Sequence, residues 1–209
     1  SDETSCAGDL SPYSADDDTW VCDSSSLVYG SSLEVVMGDL SASGSDLVRL
    51  SLPSLWNVTG GVTISQNDDL TEVSLPALEA TGGGVTIYDN DDLTEVSLPA
   101  LEAIGGDLDV EDNNDGDFSS FDMSALRYVG GKVEFSSNDN MRWQGLPALE
   151  EVGGDFQIYA SPRSWRDYDD DESPGDFGSL RSIGGRLYVY ENHMSSTLDM
   201  SQLETVGEQ

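Results

Sequence analysis

Residues 60–80 read GGVTISQNDDLTEVSLPALEA, and residues 83–103 read GGVTIYDNDDLTEVSLPALEA. The two stretches differ only where Ser65 and Gln66 of the first are replaced by Tyr88 and Asp89 of the second. The second copy begins 23 residues after the first. A repeat of this length predicts stacked structural units, each of which is too small to bury its apolar side alone.

Weaker copies extend the repeat over residues 38–209. Each keeps a glycine, usually a pair, followed by a short strand in which apolar and variable residues alternate. Their openings lie at 38–42, 105–110, 130–135, 153–158 and 184–189. Together with the two clear copies they predict seven coils of about 23 residues, and the coil that opens at 153 carries an insertion after its strand.

Alternate residues of each strand are predicted to face inward, because successive side chains of a strand point to opposite faces. The inward pairs are Val62/Ile64, Val85/Ile87, Leu108/Val110, Val133/Phe135, Phe156/Ile158 and Leu187/Val189. The outward positions are Thr63/Ser65, Thr86/Tyr88, Asp109/Glu111, Glu134/Ser136, Gln157/Tyr159 and Tyr188/Tyr190. Leu-Pro pairs such as Leu75-Pro76 argue against helices. The sequence therefore predicts an all-β solenoid.

An asparagine stands three residues after the second inward position of most copies. These residues are Asn67, Asn90, Asn113, Asn138 and Asn192. A row of polar ligands is one interpretation. The structural interpretation is stronger, because an inward asparagine supplies donors and an acceptor for a turn whose backbone makes no sheet bonds, and identical asparagines stack as a ladder.

The charge of the chain limits its partners. There are 41 acidic and 8 basic side chains, with a formal net charge of −33, while 37% of residues are hydrophobic. The hydrophobic fraction is sufficient for a folded core, whereas the negative charge makes the surface repel nucleic acid and anionic lipid. No apolar run approaches the length of a membrane span, so we expect no membrane insertion. No signal peptide is visible, although one could have been removed before residue 1.

Two cysteines, Cys6 and Cys22, lie near the start of the chain. They are too few for a closed zinc site, because the single histidine, His193, is far away in sequence. A disulfide that closes a short loop would place the protein in an oxidising compartment. Two unpaired thiols in a cytosolic protein are the alternative.

The repeat unit, L-x-x-V-x-L-P-x-L-x-x-x-G-G-x-V-x-I-x-x-N-x-x-L, resembles that of the receptor L-domain family. That family has a leucine-rich-repeat-like, right-handed β-helix, found in insulin and epidermal growth factor receptors and in fungal and bacterial surface proteins. The opening of the chain is similar too, with Cys6-Ala7-Gly8 followed by the strand at 33–40. The likeness covers about residues 6–207.

The resemblance implies a right-handed solenoid at residues 38–209, preceded by a disulfide cap at residues 1–37. Leu33 stands where the receptors have a cysteine, so the resemblance implies a pairing of Cys6 with Cys22. It also implies an extracellular or cell-surface location. The last copy ends where a further strand would begin, and we expect either that the native chain continues or that a few residues shield the open edge.

Catalysis is poorly supported, and we expect a protein that is not an enzyme. With one histidine and no conspicuous cysteine nucleophile, no catalytic triad can be assembled. Carboxylate pairs are abundant, but surface acids are the simpler interpretation of them.

Calcium is the candidate ion, because clustered carboxylates supply the oxygen ligands that Ca²⁺ prefers. One set of acids follows the asparagine column and another crowds a single loop. The candidate ligands are Asp68, Asp69, Asp91, Asp92, Asp115, Asp139, Asp169, Asp170 and Asp171. An acidic surface of a salt-adapted protein explains the same residues, and no standard calcium loop is present.

A partner-binding surface is the sharpest functional hypothesis. Tyrosine, tryptophan and arginine are enriched at recognition hot spots, and inserted loops on repeats usually carry function. They occur on outward strand positions and in the inserted loop at 161–175. The candidates are Tyr88, Tyr159, Arg163, Trp165, Arg166, Tyr168, Tyr188 and Tyr190. The sequence thus predicts an extracellular recognition or adhesion module for a protein or glycan; the alternative is a structural surface or cell-wall protein with acidic, calcium-binding edges.

Overall fold

The computed structural model describes most of the repeat region and three earlier strands. The described residues are 10–14, 17–22, 27–29, 33–43, 47–113, 118–138, 141, 145–159, 175–190 and 198–207. Within them the chain forms strands and turns and no helix. It winds through about six turns of a parallel β-solenoid, which confirms the all-β solenoid predicted from the repeat.

The longest sheet, here called the long-strand sheet, has nine strands. In order they are β1 (Leu10–Ser14), β2 (Asp17–Cys22), β5 (Asp39–Ser43), β8 (Val62–Ser65), β11 (Val85–Tyr88), β14 (Leu108–Glu111), β17 (Val133–Ser136), β19 (Phe156–Tyr159) and β22 (Leu187–Tyr190). The first two strands pair antiparallel, and every later pairing is parallel.

A second wall is an eight-stranded sheet of two-residue strands. It contains β4 (Val35–Val36), β7 (Asn57–Val58), β10 (Ala80–Thr81), β13 (Ala103–Ile104), β16 (Tyr128–Val129), β18 (Glu151–Val152), β21 (Ser182–Ile183) and β24 (Thr205–Val206). The third wall has five strands, which are β3 (Leu27–Tyr29), β6 (Arg49–Ser51), β9 (Glu72–Ser74), β12 (Glu95–Ser97) and β15 (Ser120–Asp122). A separate pair of strands, β20 (Gly175–Asp176) and β23 (Leu198–Asp199), continues this wall.

The pairing register follows the sequence repeat. Val85 of one coil lies beside Val62 of the coil before it and Leu108 of the coil after it. The insertion is absorbed without loss of register, since Phe156 still pairs with Leu187 across it. Equivalent residues of successive coils therefore form columns along the solenoid, and each column lies on one face of its sheet.

The core is the space enclosed by the three walls. The inward residues of the long-strand sheet are buried from Val62 to Ile158, as the alternation predicts. They meet Val58, Ile104, Val129, Val152 and Ile183 from the second wall and Leu50, Val73, Val96 and Phe121 from the third. Val189 is 42% exposed although its register is inward, because β22 is the last strand of its sheet among those described.

The glycine pairs are needed for close stacking of successive turns. A Cβ atom on Gly105 would lie 2.2 Å from the carbonyl oxygen of Gly82, and one on Gly130 would lie 2.3 Å from that of Gly105. Real Cβ atoms do not approach backbone this closely, so a side chain would push the coils apart. These glycines do not have positive φ angles; the left-handed backbone occurs elsewhere.

A left-handed residue directly follows each of four strands of the long-strand sheet. These residues are Gln66, Asp89, Asp112 and Ser137, with φ between 50° and 58°. Each directly precedes an asparagine of the buried column, so the chain turns into the next wall at that point. The asparagine side chains stack: Asn67 Nδ2 donates to Asn90 Oδ1 (2.9 Å), Asn90 to Asn113 (3.1 Å) and Asn113 to Asn138 (2.9 Å).

Candidate functional site

The outward face of the long-strand sheet carries two columns of side chains. One column contains Thr63, Thr86, Asp109, Glu134, Gln157 and Tyr188. The other contains Ser65, Tyr88, Glu111, Ser136, Tyr159 and Tyr190. Parallel pairing places successive members about 4.8 Å apart. The face thus changes along the solenoid from small hydroxyls, through acids, to tyrosines.

Three of the four strand tyrosines predicted as binding residues lie together at one end of this face. The rings of Tyr159 and Tyr190 stack with centroids 5.0 Å apart and an angle of 2° between their planes. Tyr188 lies in the neighbouring column on the same strand as Tyr190. Tyr88 faces the same way but pairs beside Glu111, three strands from Tyr159, and so belongs to a different part of the surface.

A shallow, open depression adjoins the stacked rings. Its lining consists of Asp155, Gln157, Arg186, Tyr188 and Tyr190. Arg186 Nη1 donates to the Tyr188 hydroxyl (2.9 Å), and the Arg186 backbone N–H donates to Asp155 Oδ1 (2.7 Å). The depression therefore combines aromatic rings with donors and acceptors that are already held in place.

Next to the stacked tyrosines, on the same outward face, lies a charged cluster centred on Lys132. Its Nζ donates to Glu134 Oε2 (2.8 Å) and forms an ion pair with Asp109 Oδ1 at 2.9 Å. The Tyr159 hydroxyl donates to the other oxygen of Glu134 (2.6 Å). A chain of contacts thus runs from Lys132 through Glu134 and Tyr159 to Tyr190.

Burial and charge shift the pKa values in this cluster. Burial raises the pKa of Asp109 and outweighs the Lys132 contact; burial, followed by repulsion from Glu134 and Asp109, raises the pKa of Glu111. Burial also raises the pKa of Glu134, but hydrogen bonds from Lys132 and Tyr159 together outweigh the effect of burial and lower that pKa. Hydrogen bonds to Glu134 and Asp109 outweigh burial and raise the pKa of Lys132. The hydrogen bond to Glu134 raises the pKa of Tyr159.

The carboxylates of Asp109, Glu111 and Glu134 form a group of acids whose oxygen atoms lie within 4.8 Å of one another. Metal ions bind such groups, but here the Lys132 ammonium already lies against two of the three carboxylates. The cluster therefore has its own internal cation.

The acids that the sequence suggested for calcium lie elsewhere. Asp68, Asp69 and Asp92 are exposed and Asp91 is half-buried, along the edge that follows the asparagine column. Among the described residues they are not part of a group of acids within 4.8 Å. Asp115, Asp139, Asp169, Asp170 and Asp171 lie outside the described residues.

Several other predicted residues also fall outside the described part of the chain. These are Cys6, Asn192 and the loop residues Arg163, Trp165, Arg166 and Tyr168, while Cys22 is described only as the end of β2.

The sequence hypothesis missed the polar residues of the site. Lys132, Asp155 and Arg186 each follow a glycine pair and precede a strand, a position that the repeat pattern treats as variable. The one available signal was that Lys132 is the single lysine of the chain and lies two residues before the outward Glu134. The contacts of Lys132 with Asp109 and of Arg186 with Tyr188 depend on side-chain conformation, which the repeat does not specify. The contact of Asp155 with the backbone N–H of the following coil recurs at Asp39 and Asp107.

No family model, curated protein or solved structure matched this chain in the three comparisons made. Within the described ranges, no helix is long and apolar enough to cross a membrane.

Proposed function

We propose that this protein is an extracellular, non-enzymatic recognition or adhesion module. It binds a protein or glycan partner on the tyrosine end of the long-strand sheet, defined by Tyr159, Tyr188 and Tyr190. The observation that carries the proposal is the stacked pair of Tyr159 and Tyr190 beside an open depression with fixed polar groups.

The tyrosine end is suited to binding because its side chains are held before a partner arrives. Tyr159 is fixed by its hydrogen bond to Glu134, and Glu134 is fixed in turn by Lys132. Tyr190 stacks on Tyr159 yet remains 46% exposed. A rigid aromatic side chain loses little conformational entropy on binding, so more of its contact energy contributes to affinity.

We also propose the handedness, coil number and N-terminal cap of the solenoid, and a binding role for the inserted loop. The solenoid is right-handed, has seven coils and belongs to the receptor L-domain type, with an N-terminal cap at residues 1–37 closed by a disulfide between Cys6 and Cys22. The loop at 161–175 comes soon after Tyr159 of β19 in sequence, and we propose that its Trp165, Arg163 and Arg166 take part in binding. Mass spectrometry after alkylation with and without reductant tests the disulfide.

The binding proposal is tested by printing oligosaccharides and purified extracellular protein domains on one array. The labelled protein is applied beside the double variant Tyr188→Ala/Tyr190→Ala. Tyr128→Ala is the matched control, because Tyr128 is 41% exposed but lies on the second wall. Capture that is lost in the double variant and kept in the control supports the proposal; capture unchanged in the double variant rejects the tyrosine end.

The alternative belongs to a different class, a structural surface or cell-wall component with calcium-binding acidic edges. The exposure of Asp68, Asp69 and Asp92 along one edge is the observation that favours it. The response of thermal stability to calcium separates the two functions.

A further inference from the structure

The polar groups around the depression include both hydrogen-bond donors and hydrogen-bond acceptors. Arg186 offers donors, Asp155 offers acceptors, and the Gln157 amide and the tyrosine hydroxyls offer both. Neighbouring hydroxyl groups on a sugar are each donor and acceptor at once. A site with mixed, closely spaced donors and acceptors is complementary to such a ligand and not to a purely apolar one.

The aromatic groups supply the second requirement of sugar binding. A hexose ring has an apolar face of C–H groups that packs flat on an aromatic ring. One face of Tyr190 is covered by Tyr159, and β22 is the last strand of the long-strand sheet in the described part of the chain, so no described strand covers the other face. Tyr188 stands two residues away on the same strand, which places its Cα about 6.7 Å from that of Tyr190 and its side chain on the same face.

The surroundings disfavour the other partner classes. Among its described residues, the outward face of the long-strand sheet exposes two large apolar side chains, Tyr88 and Tyr190, and they lie far apart. A protein interface instead has a contiguous apolar centre. The formal charge of −33 repels anionic polymers. Because the depression is open, it admits an internal stretch of a chain and does not require a chain end.

We infer that the ligand of the tyrosine end is a neutral polysaccharide, bound along Tyr188 and Tyr190 with its hydroxyl groups on Asp155, Gln157 and Arg186. This inference rests on the proposed function and names the class of its ligand. The binding energy comes from sugar stacking on Tyr190 and from hydrogen bonds to the fixed polar groups.

Isothermal titration calorimetry with hexasaccharides of neutral glucan, mannan and chitin tests the inference, with oligogalacturonate as the anionic comparison. We expect at least one neutral hexasaccharide to bind and oligogalacturonate not to bind. Tyr190→Ala should weaken binding about tenfold or more, since exposed aromatic anchors dominate such sites. Tyr190→Phe keeps the ring and should retain most of the affinity, and Tyr128→Ala should bind like the parent protein.

Three results would overturn the inference. One is that no neutral hexasaccharide binds, a second is equal binding of oligogalacturonate, and a third is sugar binding that Tyr190→Ala leaves unchanged. If the sugars fail but an extracellular protein domain is still captured through Tyr188 and Tyr190, the proposed function stands and the polysaccharide is the wrong ligand. If neither is bound, both proposals fail.

Discussion

At the scale of single residues, Asn90 of the asparagine column uses both its donor and its acceptor groups in the core. Asn90 Nδ2 contacts the carbonyl oxygens of Tyr88 (3.0 Å) and Ile64 (3.2 Å) as well as the next asparagine of the ladder. Its Oδ1 accepts from both the backbone N–H and the side chain of Asn67. One side chain thus joins three successive coils where the chain turns out of the long-strand sheet.

Replacing Asn90 by alanine should therefore be costly. Several buried backbone groups would lose their partners together, and we expect a loss of about 3–5 kcal/mol in the free energy of unfolding. Asn67→Ala is the matched comparison and should cost less, because Asn67 Oδ1 has no hydrogen-bond partner among the described residues. Urea denaturation measures both; equal costs would contradict the role assigned to the ladder.

In the third wall, an aspartate replaces a serine in a coil that lacks the Leu-Pro pair. Ser74 and Ser97 precede Leu-Pro, and Asp122 occupies the same column in the next coil. Asp122 Oδ1 accepts from the N–H of Ser124, the position where the earlier coils have proline. Proline has no N–H and fixes its own φ, so the aspartate is needed only where proline is absent.

At the scale of strands, the Lys132 cluster ties β14, β17 and β19 together on the outward face. The side chains of Asp109 and Glu134 are only 15% and 10% exposed, so removing their cation leaves two poorly hydrated carboxylates. We expect Lys132→Met to lose about 1–3 kcal/mol of unfolding free energy at pH 7. Arg127→Met, which breaks the exposed pair with Glu150, should cost less than about 1 kcal/mol.

The cost of Lys132→Met should also depend on pH. In the parent protein the lowered pKa of Glu134 stabilises the fold above the ordinary glutamate pKa, and this contribution is lost as pH falls through the lowered value. The raised pKa values of Asp109 and Glu111 act oppositely, with stability lost as pH rises through them. Without Lys132 the lowering of the Glu134 pKa largely disappears, so the variant should lose more stability at pH 7 than at pH 4. Urea denaturation at both pH values checks this, and a cost independent of pH would contradict it.

Close contact between coils excludes a side chain at the glycine positions where the coils stack. Gly105→Ala would place Cβ against the Gly82 carbonyl oxygen, so we expect a loss of about 2–3 kcal/mol as the coils are forced apart. Gly175→Ala is the control, because the nearest atoms to its Cβ would be at 3.5 Å and 3.7 Å, an ordinary contact. It should change unfolding free energy by less than about 1 kcal/mol. Thermal unfolding of the two variants compares them, and similar effects would show that stacking is not the reason for the glycines.

At the scale of the whole molecule, the net charge of −33 means that repulsion opposes the compact state. The basic side chains of the described coils are used in local contacts, such as Arg49 with Glu72 and Arg181 with Glu204. They do not neutralise the acids along the edges.

Cations should therefore stabilise this protein. Because the exposed aspartates at 68, 69 and 92 are not grouped tightly, we expect CaCl₂ and MgCl₂ at matched ionic strength to raise the melting temperature equally relative to EDTA. Equal rises indicate screening of the repelling acids. A rise specific to calcium would indicate ordered sites and favour the structural alternative.

The sequence alone determined the parallel coils, the inward alternation from Val62 to Ile158 and the columns of equivalent residues, because a constant period places like residues beside like in a stacked sheet. It also placed Tyr159, Tyr188 and Tyr190 on one face. Only the tertiary structure decided that Lys132 lies between Asp109 and Glu134, that Glu134 holds Tyr159, and that Tyr159 stacks on Tyr190. Those contacts join outward positions that vary from coil to coil, so their partners follow from side-chain length and conformation across strands and not from any period along the chain.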